Sequence, residues 1–600
     1  MGDSVPPAGG AGATDPWGDL VPTLVDRLAA ALGAPDAPAD PAAIAGLLEF
    51  TESPDWELAL PLHRFARARK LAPPLLATSV ATSLGPVDGI VESVAVGPYV
   101  NFRVDRPRLT RRTLDLVFAR GSAFGGGTPS DQRVCVEHTS ANPNGPFHIG
   151  RIRNALIGDS LARVLRAVGF PVRTEYYVDD LGRQAAMVTW IWSRPTSEWP
   201  PEIRASLDGA DPATEKADRY LGRPYPAVNE YLKTHPDADA EVQALAKRLE
   251  TGDAGGTHRA TIERILAGMI ASLDRIGVRF DRFTWESELL ADGSVAAVVE
   301  RLARAPHATV EPNGAGAIDA TAYGLPQESA KIIVTRADGS SLYVTRDVAY
   351  HLRKFAAYDR VIDVLGANHL LHGKVLDALL AEIGAPGRPE YVLYQYITTG
   401  EGGGMSTRRG TAVHLDDLLD EAVERAREEV RVRRNDLTAP EVEAVARSVA
   451  AGAVRYHILR VAADKTVTFR WEDALSFEGR SGPFVQYAYA RASSLLRKAE
   501  VAGPPTDWAP ERLTTPAEWT LVRRIAQLPR LLAYVARSAH VHAVAGYAHQ
   551  LAEEFNRFYQ DVPVLSAGEE RSSRIALVAA ARQTLGNTLD AIGVERLERM

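Results

Sequence analysis

The sequence predicts a multidomain α/β protein: a small mixed α+β domain, a core built on a parallel sheet, and a wholly helical C-terminal part. Three observations carry this. The 600 residues are too many for one hydrophobic core and suit about three to four domains at roughly 150 residues each. Residues 132–178 read as strand, Pro/Gly loop, amphipathic helix and strand, the unit from which parallel sheets are built. From Leu415 onward the apolar residues recur at helical spacing almost without a break.

Composition narrows the function classes. Hydrophobic residues make up 46% and charged residues 24%, ordinary values for packed domains, so disorder is excluded for the bulk of the chain. No stretch approaches the roughly 18 apolar residues of a membrane span. Met1 to Pro16 is rich in Gly, Pro, Ala and Asp and lacks the basic start and apolar run of a signal peptide. It is expected to be a loose tail on a cytoplasmic protein. The single cysteine, Cys135, excludes a disulfide framework and a Cys-based zinc site, so no protein-bound metal is expected. Net charge is −8, yet residues 451–600 carry 19 basic against 16 acidic side chains. A polyanion would be met by local patches.

Taken in order, residues 17–120 form the first domain, with a helix at Leu20–Leu32, a helical segment at Leu58–Ala72 and an alternating stretch at Ile90–Val104. Gly121–Ser130 reads as a linker, because its glycines do not sit between a strand and a helix in phosphate-cradling spacing. The core spans about 130–415. Its first strand, 132–140, runs into a loop containing Pro143, Gly145 and Pro146. A helix follows from His148 and ends at Gly169, and Val172–Val178 is the next strand. Residues 195–260 look inserted. Ile333–Thr345 reads as a hairpin turning at Asp338-Gly339, and Arg360–Leu365 as a buried strand. The helical part, 416–600, divides into Leu415–Arg434, Val442–Ala462, Phe484–Ala499, Ala517–Ala539, Val541–Tyr559 and Arg574–Ile592. The core is therefore of Rossmann type.

The chemistry concentrates at His148-Ile-Gly-Arg151. A histidine at a helix N-terminus lies beside free N–H groups that favour anions. Gly150 leaves room for a base or phosphate at the backbone, and Arg151 lies one turn on, within reach of the same anion.

Glu137 to Arg151 (EHTSANPNGPFHIGR) resembles the HIGH region of class I aminoacyl-tRNA synthetases, specifically the arginyl-tRNA synthetase family. Further resemblances follow in order. They are Tyr176–Gln184 (YYVDDLGRQ), Ser341–Asp347 (SLYVTRD), a KMSKS-like Met405–Gly410 (MSTRRG), Gly482–Arg491 (GPFVQYAYAR) and Leu551–Tyr559 with the terminal Met600. The resemblance implies a monomeric arginine–tRNA ligase that takes ATP, L-arginine and arginine tRNA, with Mg2+ accompanying ATP. Catalysis then falls to His148, Arg151, Ser406, Arg408 and Arg409. ATP falls to His148, Gly150, Arg151, Met405 and Ser406. Arginine falls to Glu137, Asn142, Tyr343, Asp347, His369 and Gln184, two carboxylates and a phenol suiting a cationic fork. It also makes residues 17–120 the tRNA-elbow domain, with Tyr99, Asn101 and Phe102 as contacts. Residues 482–600 become the anticodon-binding domain, with Tyr487 and Arg491 as contacts, since aromatics interleaved with arginine suit splayed bases. Three departures stand out. Arg151 replaces the family's usual histidine, Gly404 and Thr407 stand where lysines are usual, and Gly479-Arg-Ser-Gly482 replaces Gly-Asn-Thr-Gly. Arg408, Arg409 and Lys374 are the cations available to replace the lost charge. The alternative is a paralogue that binds tRNA or arginine without charging, or one that supplies a specialised pathway.

Overall fold

The computed structural model describes residues 12–33, 39–51, 53–252, 255–399, 413–501 and 503–600. The N-terminal unit packs helix α1 (Leu20–Leu32) on an antiparallel sheet of β1 (Glu49–Phe50), β2 (Leu58–Pro61), β3 (Ile90–Val96) and β4 (Tyr99–Val104), in the order β1-β2-β4-β3, followed by α2 (Arg106–Arg120). The segment expected as one helix from Leu58 to Ala72 is instead strand β2 and a short helix, His63–Arg69. Leu58 and Leu60 pair with Phe102 and Val100 of β4 and are fully buried, and pairing with a partner strand outweighs helical spacing. The loose tail also ends earlier than expected. Asp15 is completely buried and forms an ion pair with Arg530.

The core is a five-stranded parallel sheet of β5 (Val134–Glu137), β6 (Val172–Val178), β7 (Arg282–Trp285), β8 (Arg360–Gly366) and β9 (Glu390–Tyr394), in the order β9-β8-β5-β6-β7. Helix α3 (Ile152–Ala167) joins β5 to β6, and α4 (Gly182–Trp192) follows β6. The insertion is helical, including α5 (Ala217–Gly222) and α6 (Pro224–Thr234), and α7 (Gly255–Asp274) returns to the sheet. Trp190, Trp199, Ile203, Val228 and Val242 give the insertion its own core against α4. Before β8 comes α8 (Tyr343–Ala357), and α9 (Leu370–Glu382) follows β8. Lys331–Ile333 pairs with Gly316–Asp319, and the expected hairpin shrinks to the turn at Asp338-Gly339 and one bridge, Thr335 to Ser341, with Leu342 N–H donating to Val334 O at 3.2 Å. Its return strand is the first turn of α8, where Thr345 Oγ1 donates back to Val334 O at 2.6 Å. The glycine-rich segment after α2 is no free tether. A side chain on Gly126 or Gly127 would strike the carbonyls ending α3, at 2.3 and 2.6 Å.

The C-terminal part comprises α10 (Leu415–Arg433), α11 (Ala439–Leu459), α12 (Gly482–Lys498), α13 (Pro516–Ser538), α14 (His542–Asp561) and α15 (Arg571–Ala591). Two buried arginines tie it to α3. Arg153 donates to four carbonyls, of Gln395, Val461, Ala462 and Lys465. Arg455 joins Asp159 of α3 to the carbonyls of Ile276 and Ile592. The N-terminal unit docks on the same bundle, where Trp519 Nε1 donates to Glu57 at 3.0 Å.

Candidate active site

Strand order reverses between β5 and β8, the place where open α/β sheets bind ligands at the carboxyl ends of their strands. Glu137 ends β5, and the chain leaves it through Thr139 and Ser140, both left-handed at φ 74° and 38°. Such backbone costs about 1–3 kcal/mol per residue and persists only when its surroundings hold it. Here Thr139 N–H donates to Asn154 Oδ1 at 2.9 Å, Ser140 Oγ donates to Glu137 at 3.0 Å, and Tyr177 N–H donates to Ser140 Oγ at 3.0 Å. The Tyr176 hydroxyl closes the turn, accepting from Ala141 N–H at 3.0 Å and donating to Ala141 O at 2.6 Å.

That loop delivers His148 as the N-cap of a single 3-10 turn, Ile149–Arg151, leading into α3. Its Nδ1 accepts the Gly150 N–H at 2.9 Å, which leaves Nε2 to carry the proton of the neutral ring. Burial, aided by the charges of His414 and Arg151, lowers its pKa and keeps it neutral. At Gly150 a side chain would meet His148 Nδ1 at 2.9 Å. The glycine makes room for the ring. Ile149 N–H donates to Val413 O and Leu415 N–H to Phe147 O, so the segment ahead of α10 is zipped to the His148 loop.

A cavity of about 750 Å³ opens here, lined among others by Asn142, His148, Arg151, Arg219, Arg223 and His414. Arg219 is paired with Asp417 and Arg223 with Glu215. Arg151 is exposed, and among the described residues no carboxylate pairs with it. Lys374, on α9, does not line this cavity. Met405, Ser406, Arg408 and Arg409 lie outside the described residues.

Near it lies an acidic cluster. Asp347 stands one turn into α8, after Tyr343, which is 67% exposed and stacks on His372 at 5.5 Å. His372 Nε2 sits 2.6 Å from Asp347 Oδ2. Burial would raise the Asp347 carboxyl, but His372, His351 and Lys354 outweigh it and hold it below the usual range. Glu137 is buttressed by Lys354 at 2.7 Å, whose Nζ also holds Asp363 at 2.8 Å. Glu137, His351 and Asp363 lie close enough to ligate a metal, but Lys354 is already the cation between the two carboxylates. His369 sits on the exposed turn after β8, near enough to Arg151 and Asp347 to feel their charges. Gln184 Oε1 accepts from Asn142 at 3.0 Å and Asn144 at 3.1 Å.

These elements match known proteins along nearly the whole chain. Residues 114–471 match the model of the class I tRNA synthetase (R) catalytic domain, and 485–600 the DALR anticodon-binding domain. The chain is 39% identical over 540 residues to an arginine–tRNA ligase of Methanocella arvoryzae, covering 90% of this chain and 92% of the other. It is 42% identical over 509 residues to one of Methanothermobacter thermautotrophicus, covering 84% and 86%. The chain belongs to the class I arginine–tRNA ligases. The arginyl-tRNA synthetase of Thermus thermophilus superposes with a TM-score of 0.79 at 28% identity, covering 96% of this chain and 99% of that one. ATP is the family's co-substrate. No described helix is long and apolar enough to cross a membrane.

For a ligase of this family, the helical bundle also offers a second site. The Arg491 guanidinium lies 4.7 Å from the Tyr487 ring centre and 5.0 Å from that of Tyr559. Both tyrosines are over a third exposed, and they line a 500 Å³ cleft with Arg434, Arg497, Lys498, Arg599 and Met600. Tyr489 and Phe558 are core residues instead. In the N-terminal unit Tyr99 is exposed and Asn101 half-buried, but Phe102 is fully buried. It points into the sheet's core face beside Leu58, so it is withdrawn as a tRNA contact. Sequence reasoning passed over Lys354, His372, Asp179 and Glu286. Asp179 stood inside the quoted YYVDDLGRQ segment, whereas the others come from helices whose contacts only folding makes.

Proposed function

We propose that this chain joins arginine to ATP as arginyl-adenylate and passes the arginyl group to the 3′ end of arginine tRNA, with Glu137, Asn142, Tyr343 and Asp347 holding the amino acid. One observation carries the reading: an acidic cluster with a phenol stands near a neutral histidine donor and, at the same helix N-terminus, an arginine that pairs with no carboxylate among the described residues. The pocket suits a guanidinium, and the helix end suits the α-phosphate of ATP.

In the first step a carboxylate oxygen of arginine attacks the α-phosphorus and pyrophosphate leaves. The protein positions the two reactants and stabilises charge. His148 donates through Nε2, and Arg151 adds a fixed positive charge in the position the family usually gives to histidine. Mg2+ enters with the ATP phosphates as part of the substrate. His369 and Gln184 border the pocket, Gln184 by fixing the amides of Asn142 and Asn144. Ser406, Arg408 and Arg409 supply the second signature. The tRNA is held through Tyr487 and Arg491, with Tyr99 and Asn101 toward the elbow.

Aminoacylation of transcribed arginine tRNA with labelled arginine tests the reading directly, and absence of both arginyl-adenylate and arginyl-tRNA would replace it with a non-charging binder. Asp347→Asn and Glu137→Gln should each lose a charge-assisted hydrogen bond, about 1.5–3 kcal/mol, and raise the KM for arginine roughly 10- to 150-fold. The KM for ATP should stay near its wild-type value. An unchanged arginine KM in both removes the pocket assignment. tRNA binding should weaken steeply as salt rises, through release of counterions from the phosphates. Arg491→Ala should weaken it further, and a salt-independent affinity measured by filter binding would argue against the basic cleft.

A further inference from the structure

His372 touches two residues of the arginine pocket without being used by the reaction described so far. Tyr343 and Asp347 stand four apart on α8 and so share one face of it. His372, in the first turn of α9, spans both. Its ring stacks on Tyr343 at 5.5 Å with 27° between the planes, and its Nε2 lies 2.6 Å from Asp347 Oδ2. The start of α9 is itself fixed from behind. The Tyr391 hydroxyl of β9 donates to Gly373 O and to Asp377, each at 3.0 Å, and a side chain on Gly373 would strike the Tyr391 ring at 3.1 Å.

The other oxygen of Asp347, Oδ1, accepts no hydrogen bond among the described residues. Its nearest charged neighbour is His351 Nδ1 at 3.9 Å, and that nitrogen is closer to the backbone oxygen of Asp347, at 2.8 Å. One carboxylate therefore offers a filled oxygen and an open one. The His372 and Asp347 side chains are 23% and 25% exposed, so solvent and substrate both reach the pair.

A guanidinium arriving at Asp347 puts a second cation on that carboxylate. Guanidinium keeps its proton in proteins, whereas imidazolium readily gives one up. The histidine is the partner that discharges. Losing the Nδ1 proton leaves Nε2–H still donating to Asp347, so the carboxylate keeps its orientation.

We propose that His372 is a positioning residue that holds the Asp347 carboxylate and the Tyr343 ring for the substrate, and that it releases one proton to solvent when the guanidinium binds. This rests on the arginine pocket proposed above. Burial works against a charge on His372, but the hydrogen bond and charge of Asp347 outweigh it and raise its pKa. The other groups around it are Tyr343 on α8, His369 on the turn ahead of α9, and the Tyr391–Asp377 pair behind Gly373. His351 and Lys354 act on Asp347 from farther along α8. The complex holds fewer protons than the free protein, so arginine affinity rises with pH until free His372 is neutral.

Calorimetric titration of the full-length protein with L-arginine, in PIPES and in ACES, separates buffer protonation heat from binding heat. At pH 6.5, the ordinary histidine value, the wild type should release more than about half a proton per arginine. Its Kd should fall about fivefold or more between pH 6 and pH 8. His372→Leu should weaken arginine roughly 10-fold at pH 8. His372→Gln keeps an N–H donor, so it should recover most of that loss while releasing almost no proton and losing the pH dependence. Equal heats in the two buffers for the wild type overturn the proposal. So does undiminished release from His372→Gln, which would make His369 or His351 the source. His372→Leu binding as tightly as His372→Gln removes the positioning role. Should His372→Leu not fold, as read by circular dichroism, the wild type and His372→Gln carry the test. Asp347→Asn should weaken arginine and abolish the release. If it leaves arginine binding unchanged, the pocket itself is wrong and this proposal falls with it.

Discussion

Arg455→Ala is expected to destabilise the folded chain by about 3–5 kcal/mol, because it removes the buried cation of Asp159 and leaves that carboxylate with Arg163 alone. Arg455 is 1% and Asp159 4% exposed. The arginine also satisfies the carbonyls of Ile276 at 2.6 Å and Ile592 at 2.8 Å, so truncation also strands two carbonyls from two other parts of the chain. Burial would raise the Asp159 carboxyl, but Arg455 and Arg163 bring it below its usual value. A carboxylate depressed on folding stabilises above its unfolded pKa and loses that stabilisation as pH falls through the folded one. The wild type should therefore lose part of its stability on acidification. Pairing Arg455→Met with Asp159→Leu should recover much of the loss, since an apolar pair of similar volume avoids both desolvation penalties. Urea unfolding of the three proteins at pH 7 checks this, and a single-variant loss below 1 kcal/mol would mean water reaches the pair. The consequence reaches the site, because Asp159 lies on α3, into which the turn capped by His148 leads.

His148→Ala should lower kcat for arginine activation by roughly 10²–10³-fold, about 2.7–4 kcal/mol, the scale of removing one preorganised donor from developing charge. Arg151→Ala should lower it at least ~10-fold, about 1.4 kcal/mol. The residues are three apart, with His148 capping the 3-10 turn that holds Arg151, so both can address one anion. Arg151→His, which restores the family's usual residue, should retain activity or raise it. Pyrophosphate exchange with tRNA present is the measurement. If the wild type forms no adenylate and Arg151→His gains it, Arg151 marks a retired catalyst and the chain binds without charging.

Much of this was legible in advance where local patterning and burial agree. Leu20–Leu32 and Val172–Val178 fall at the bounds read from periodicity, and the helices after Leu415 begin and end within three residues of them. Gly169, at φ +105°, ends the helix as its position implied. Two elements came out otherwise. Leu58–Pro61 became a strand because β4 was there to pair with it, and Tyr343–Thr345 became a helix start because Val334 O captured Thr345. The first outcome was settled by a partner far along the chain, the second by a side-chain hydrogen bond across the turn itself.

By itself the sequence determined the family, the order of its parts, and which side chains crowd toward the ends of β5 and β6, because signature residues and helical or strand periodicity are local properties. Only the tertiary structure decided that Phe102 is core and that Lys354 occupies the would-be metal cluster. Each of these depends on which surfaces meet across tens or hundreds of residues. A carboxylate's charge and an aromatic's exposure are set by those neighbours, not by the residue or its adjacent sequence.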